Sequence, residues 1–168
     1  MSNYPEIIKH LKIYGKREDY CGWPSAAVTD SGEIVVVFCK TEEHISPSGA
    51  ILSVTSSDNG ETWSAPTTIR DSVIDDRESG LTVLNGGKEL MVHMWSSFQT
   101  PSIYENLDEF SYRPEVLSRW IKDVSMLEYR EAESLQGSST AATSDGGRTW
   151  SEPVPGPDSI HGGVQMQD

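Results

Sequence analysis

The fold of this chain is restricted most by an internal repeat. Ser56-Ser57-Asp58-Asn59-Gly60-Glu61-Thr62-Trp63 returns as Thr143-Ser144-Asp145-Gly146-Gly147-Arg148-Thr149-Trp150, and each copy runs on into serine, one intervening residue and proline. The shared frame, Ser/Thr-x-Asp-x-Gly-x-Thr-Trp and its continuation, covers eleven positions. A motif that recurs this closely marks a repeated unit of structure. Its residue types suit a tight turn, in which the carboxylate of Asp58 or Asp145 accepts backbone N–H groups and Gly60 or Gly147 supplies a positive φ. Trp63 and Trp150 should begin the strand that follows and bury roughly 200 Å² in a sheet core. With Ser56, Thr62, Thr143 and Thr149 these residues form structural boxes rather than catalytic ones.

The flanking segments read as strands. Residues 24–29, 33–40, 50–56 and 64–69 are rich in Val, Ile and Ala, with Asp30-Ser31-Gly32 as a turn. A second set follows at 79–84, 88–96, 138–143 and 150–154, with Asn85-Gly86-Gly87 as its turn. Such punctuation is what hairpin-connected strands require. The two boxes are 87 residues apart, and residues 100–135 interrupt the second set; without those 36 the spacing falls to about 51. Inside the interruption Val116, Leu117, Trp120, Ile121, Val124 and Leu127 recur at helical spacing, and Pro114 suits a first turn, so an amphipathic helix is predicted over 114–128. Its apolar stripe is expected to pack on the sheets.

The repeated motif resembles the Asp box, or BNR repeat, of the sialidase (neuraminidase) superfamily and related β-propellers, where it forms the turn between the third and fourth strands of a blade. The resemblance spans roughly residues 20 to 165, and the segments YCGWPSAAVTDSGEIVVVF, EEHISPSGAI and IDDRESGLTVLNGG look like a bacterial sialidase-like branch. It implies an all-β propeller, six-bladed in the family. The chain would supply about two and a half blades: residues 20–70, residues 75–155 with the helical insertion, and the start of a further blade at 158–168, with Ile7 to Tyr14 as a strand from the closing blade. Closed propellers have four to eight blades, so a partial chain is expected, with homo-oligomerisation through open blade edges as the other outcome.

In a four-stranded meander the turns after the first and third strands lie at one end, and the turns before the first and after the second at the other. The boxes occupy the first end, and the resemblance puts the site at the other. That end gathers Trp23, Glu43, His44 and His161 as candidate substrate-binding residues and Asp75-Asp76-Arg77-Glu78 as the candidate catalytic cluster. Trp23 offers a stacking platform for a sugar. Arg77 can bind a carboxylate bidentately, and crowding among the acidic residues can raise one pKa toward general-acid use. His93 falls inside a strand and is assigned to the core.

Sialidases hydrolyse terminal sialic acids with three arginines, a tyrosine nucleophile paired with a glutamate, and an aspartate as acid/base, outside the usual two-carboxylate scheme. This chain has Gly22-Trp23-Pro24 where the family has its Arg-Ile-Pro motif, and Tyr20, Tyr104, Tyr112 and Tyr129 do not match the nucleophile. The catalytic aspartate would be Asp75 or Asp76. The resemblance implies a sialidase-like glycoside hydrolase that removes terminal sialic acid or a related sugar, and the alternative is a noncatalytic carbohydrate-binding or scaffolding propeller.

Composition narrows the partners. With 26 acidic and 13 basic side chains the net charge is −13, unfavourable for nucleic acid. No apolar run approaches the roughly 20 residues of a membrane span and no signal peptide is evident, so a cytoplasmic chain with a glycan or small-sugar substrate is expected. Cys21 and Cys39 lack metal-ligand spacing, and neither a metal nor another cofactor is expected.

Overall fold

A computed structural model describes residues 9–16, 19–44, 46–98, 101 and 114–156. Among these residues it is mostly β, with two helices over 114–125 and 129–135. The strands are β1 (Tyr20–Val28), β2 (Ile34–Thr41), β3 (Gly49–Ser56), β4 (Thr67–Arg70), β5 (Asp75–Leu84), β6 (Glu89–Ser97), β7 (Gly137–Thr143) and β8 (Val154–Pro155); the helices are α1 (Pro114–Ser125) and α2 (Tyr129–Leu135).

The strands form two antiparallel meanders, β1-β2-β3-β4 and β5-β6-β7-β8, bridged by a parallel pairing of Gly49 with Asp75. Side chains alternate across each strand, and the alternation builds the core. Val35, Val37 and Cys39 of β2 face Leu90, Val92 and Met94 of β6, with Ile51, Ile69 and Ala141 completing the contact. On the reverse of the first meander, Val36, Phe38, Leu52 and Val54 are covered by Ile13, Tyr14 and Trp63. Tyr14 lies 4.7 Å from Phe38, ring centre to ring centre. The strand expected over Ile7 to Tyr14 is not formed by its described part, residues 9–14, which crosses this face as irregular chain. It is fixed there by side-chain packing in place of ladder bonds.

The two box turns share the bonds made by their Asp, Thr and Gly residues. Thr62 N–H and the Thr62 hydroxyl donate to the two Asp58 carboxylate oxygens at 2.8 and 2.5 Å, and the Ser56 hydroxyl accepts Gly60 N–H at 2.9 Å. Thr149 N–H and hydroxyl reach Asp145 at 3.0 and 2.6 Å, and the Thr143 hydroxyl accepts Gly147 N–H at 3.1 Å. Positive φ falls on Gly60 and Gly147, at 84° and 82°. The tryptophans precede β4 and β8 rather than opening them, because proline follows three residues later and both strands are short. They also differ in partner. Trp63 Nε1 donates to Gly60 O in its own turn (3.1 Å), whereas Trp150 Nε1 donates to Ser53 of the first meander (3.0 Å).

The insertion folds as expected in kind and shorter in extent, since α1 ends at Ser125 and α2 continues after a turn. Val116, Leu117, Trp120 and Val124 are buried with Phe98 and Ile121 against them. No helix among the described residues is long and apolar enough to cross a membrane. His93, expected in the core, lies half-buried on the face of β6 opposite Leu90, Val92 and Met94, with its Nε2 shielded from solvent.

Candidate functional site

Strand order sends the β1–β2 turn, the β5–β6 turn and the boxes to one end. There Asp30 N–H bonds Gly87 O at 3.1 Å and Arg148 pairs with Glu33. The start of β1, the β2–β3 loop, the start of β5 and the helices meet at the other. The segment 75–78, expected as a loop, is the first turn-free stretch of β5, pairing Asp75 with Ser97 and Arg77 with Trp95.

Neighbouring carboxylates on this strand occupy different environments because successive side chains point opposite ways. Asp76 is fully buried and fully engaged: Arg70 Nε and the Ser96 hydroxyl donate to Oδ1 at 2.6 and 2.5 Å, and Ser72 N–H donates to Oδ2 at 2.5 Å. That set closes it to a ligand and makes it the anchor of the β4–β5 connection. The buried Cys39 thiol, pushed up to about 12 by burial, donates to the Asp76 carbonyl at 3.3 Å.

Asp75 is 1% exposed, and neither carboxylate oxygen has a hydrogen-bond partner among the described residues. Arg77 Nη1 lies 3.3 Å from Oδ2, a charge contact rather than an aligned bond. Burial raises the Asp75 pKa to about 7; Arg77 opposes that shift while Asp76 and Glu78 add to it. Desolvation therefore outweighs the ion pair. A carboxyl group that titrates near neutrality is suited to hold and release a proton.

Arg77 links this acid to an aromatic cluster. Its Nη2 donates to His44 O at 3.1 Å, and its guanidinium sits 4.8 Å from the Trp23 ring centre, a cation–π contact. The exposed His44 ring stacks on Trp23 at 5.4 Å and 28°, and Tyr20 Oη bonds His44 Nδ1 at 2.9 Å. The structure thus brings together Trp23, His44, Asp75 and Arg77. Tyr20, named in the sequence only as not matching a nucleophile, joins them across two strands, a pairing that only register reveals.

Two bulges aim these side chains. In β1 the register shifts between Gly22 and Ser25, and in β5 between Arg77 and Ser79. The extra residues, Trp23 (φ 48°) and Glu78 (φ 54°), both take the left-handed conformation that non-glycine residues rarely adopt. Strain of this kind is retained where the surroundings impose it and collects at functional sites. Glu78 is half-buried beside Asp75 and acts on it through its charge.

Glu43 lines a neighbouring cleft of about 630 Å³ with Asp19, Tyr20, Lys40, Glu42 and Asp71. Glu42 accepts Trp120 Nε1 at 3.0 Å and pairs with Arg119, fastening α1 to the loop that carries His44. His161 and the expected strand at 158–168 lie outside the described residues. Among the described residues no group of His, Cys, Asp and Glu is arranged to hold a metal ion.

No protein-family model and no curated protein matches the chain. A crystal structure of a protein of unknown function from Dyadobacter fermentans DSM 18053 is similar, with a TM-score of 0.56 at 23% identity. The alignment covers 86% of this chain and 38% of that one, so the chain spans well under half the length of its structural neighbour. What the two share is the fold.

Proposed function

We propose that the two meanders are adjacent blades of a sialidase-like β-propeller and that the chain is part of a glycoside hydrolase acting on the terminal sugar of a glycan. The repeated box geometry supports the first half of the reading, because the same turn closes the third and fourth strands of both meanders. The observation that carries the second is Asp75, a buried carboxyl with no hydrogen-bond partner among the described residues, set beside the Arg77 that contacts Trp23 and His44. In this reading Asp75 serves as acid/base, Arg77 tunes and orients it, and the aromatic cluster receives a sugar face. Asp76 holds the strand in place, and Glu78 and Glu43 supply local negative charge.

One observation favours binding without turnover. Asp75 is 1% exposed, so a glycosidic oxygen has little access to it in this arrangement. The two readings separate in an assay of the chain, and of any longer chain containing it, against fluorogenic sialosides and neutral glycosides alongside calorimetric binding. Turnover abolished in a folded Asp75→Asn variant supports the hydrolase. Sugar binding with no turnover supports the binding module, and a folded protein that neither binds nor cleaves any of them removes both.

A further inference from the structure

The charge arrangement narrows the ligand further, on the premise that this end binds glycans. We propose that it takes an uncharged sugar and discriminates against carboxylate-bearing ones, because Arg77 is already committed to groups of the protein. A guanidinium grips a carboxylate through two parallel N–H donors. Both terminal nitrogens of Arg77 have partners in the protein, Nη1 facing Asp75 at 3.3 Å and Nη2 donating to His44 O at 3.1 Å, and its guanidinium lies over Trp23. Its Nε is buried, and the side chain is only 13% exposed.

Three other cations near this end, among the described residues, are engaged as well. Arg70 pairs with Asp76, Lys40 with Asp19 and Arg119 with Glu42. The adjoining cleft presents Asp19, Glu42, Glu43 and Asp71 against Lys40 alone. A sugar carboxylate entering there would meet like charge on a chain of net −13. An uncharged sugar meets no such opposition. Its C–H face can lie on the Tyr20–Trp23–His44 cluster, while the cleft carboxylates and the exposed Ser48 side chain offer acceptors and a donor to its hydroxyls.

The test is calorimetric titration of the chain with lactose, cellobiose and mannobiose on one side, and with sialyllactose and a glucuronide on the other. At least one neutral sugar is expected to bind about tenfold or more tightly than either anionic one, a difference of about 1.4 kcal/mol. Added salt should improve binding of the anionic sugars by screening repulsion and leave the neutral ones unchanged. Asp75→Asn, which removes the counter-charge of Arg77, should raise affinity for sialyllactose about tenfold. Tighter wild-type binding of sialyllactose, weakened by salt, overturns the inference and leaves the glycan reading standing, as does a folded Asp75→Asn protein of unchanged preference. If that variant does not fold, the wild-type ranking and its salt dependence decide. A folded protein that binds none of the sugars removes the glycan reading and this inference with it.

Discussion

The Trp150 indole crosses from the second meander to the first and donates to the Ser53 hydroxyl at 3.0 Å, inside the shared core. Ser53 is fully buried, so Ser53→Ala removes the acceptor of a part-buried N–H and should cost about 1–3 kcal/mol. Trp150→Ala should cost more, about 3–5 kcal/mol, because the ring also fills space between the meanders. Trp63→Ala, on the face covered by Ile13 and Tyr14, should fall below it at about 3 kcal/mol, the low end of that range. Urea unfolding of the three variants gives the ranking, and a Trp63 variant less stable than the Trp150 variant would contradict it.

The box turns carry an acid-sensitive element. Slight burial pushes Asp145 up, but bonds from Thr149, Thr143 and Arg148 outweigh it and hold the group at about 2; the bonds of Thr62 and Ser56 do the same for Asp58. A carboxylate depressed on folding contributes stability above its unfolded pKa and loses it as pH falls through the folded one. Stability should therefore decline between about pH 4 and pH 2. Asp145→Asn should be less stable than wild type at pH 7 and show a shallower decline. Thr143→Val, which keeps shape and deletes the hydroxyl that donates to Asp145, should cost about 1–2 kcal/mol at pH 7 and less at pH 2.

Asp75 has the opposite sign. Its folded pKa, about 7, stands above the unfolded value near 3.8, so the unfolded chain ionises first and native stability falls as pH rises between those values, levelling above them. Asp75→Asn cannot ionise. Denaturation at pH 8.5 and pH 4.5 should find the variant more stable than wild type at the higher pH, with the difference shrinking at the lower. A variant less stable at pH 8.5 would mean that the Arg77 ion pair outweighs burial.

Glu42 ties the insertion to the site. Glu42→Gln keeps an acceptor for Trp120 Nε1 but loses the charge opposite the exposed Arg119, and should cost no more than about 1 kcal/mol. Glu42→Ala loses both contacts and should cost about 1–2 kcal/mol. Thermal unfolding read by tryptophan fluorescence compares them, and equal losses would show that the indole bond contributes nothing.

Much of the architecture was legible because its signals are local. Asp58, Gly60 and Thr62 sit close enough in the chain for their types alone to predict the turn, and Val35 to Cys39 announce a buried strand. The candidate site was legible in location and less so in role. Asp75 and Asp76 are adjacent and chemically identical; what separates them is Arg70, Ser72 and Ser96 converging on one and leaving the other without a hydrogen bond among the described residues, which depends on tertiary register. The bulges at Trp23 and Glu78 carry no glycine to mark them. The link from Glu42 to Trp120 spans 78 positions and leaves no trace in either segment.

The most direct test of the glycan site is amide chemical-shift mapping of the folded chain titrated with a neutral disaccharide such as lactose or cellobiose. Shifts confined to Tyr20, Trp23, His44, Arg77 and the adjoining cleft are predicted, with the turns at Asp58 and Asp145 unmoved. Saturable shifts at those turns, or none anywhere across the neutral and anionic sugars, would contradict it.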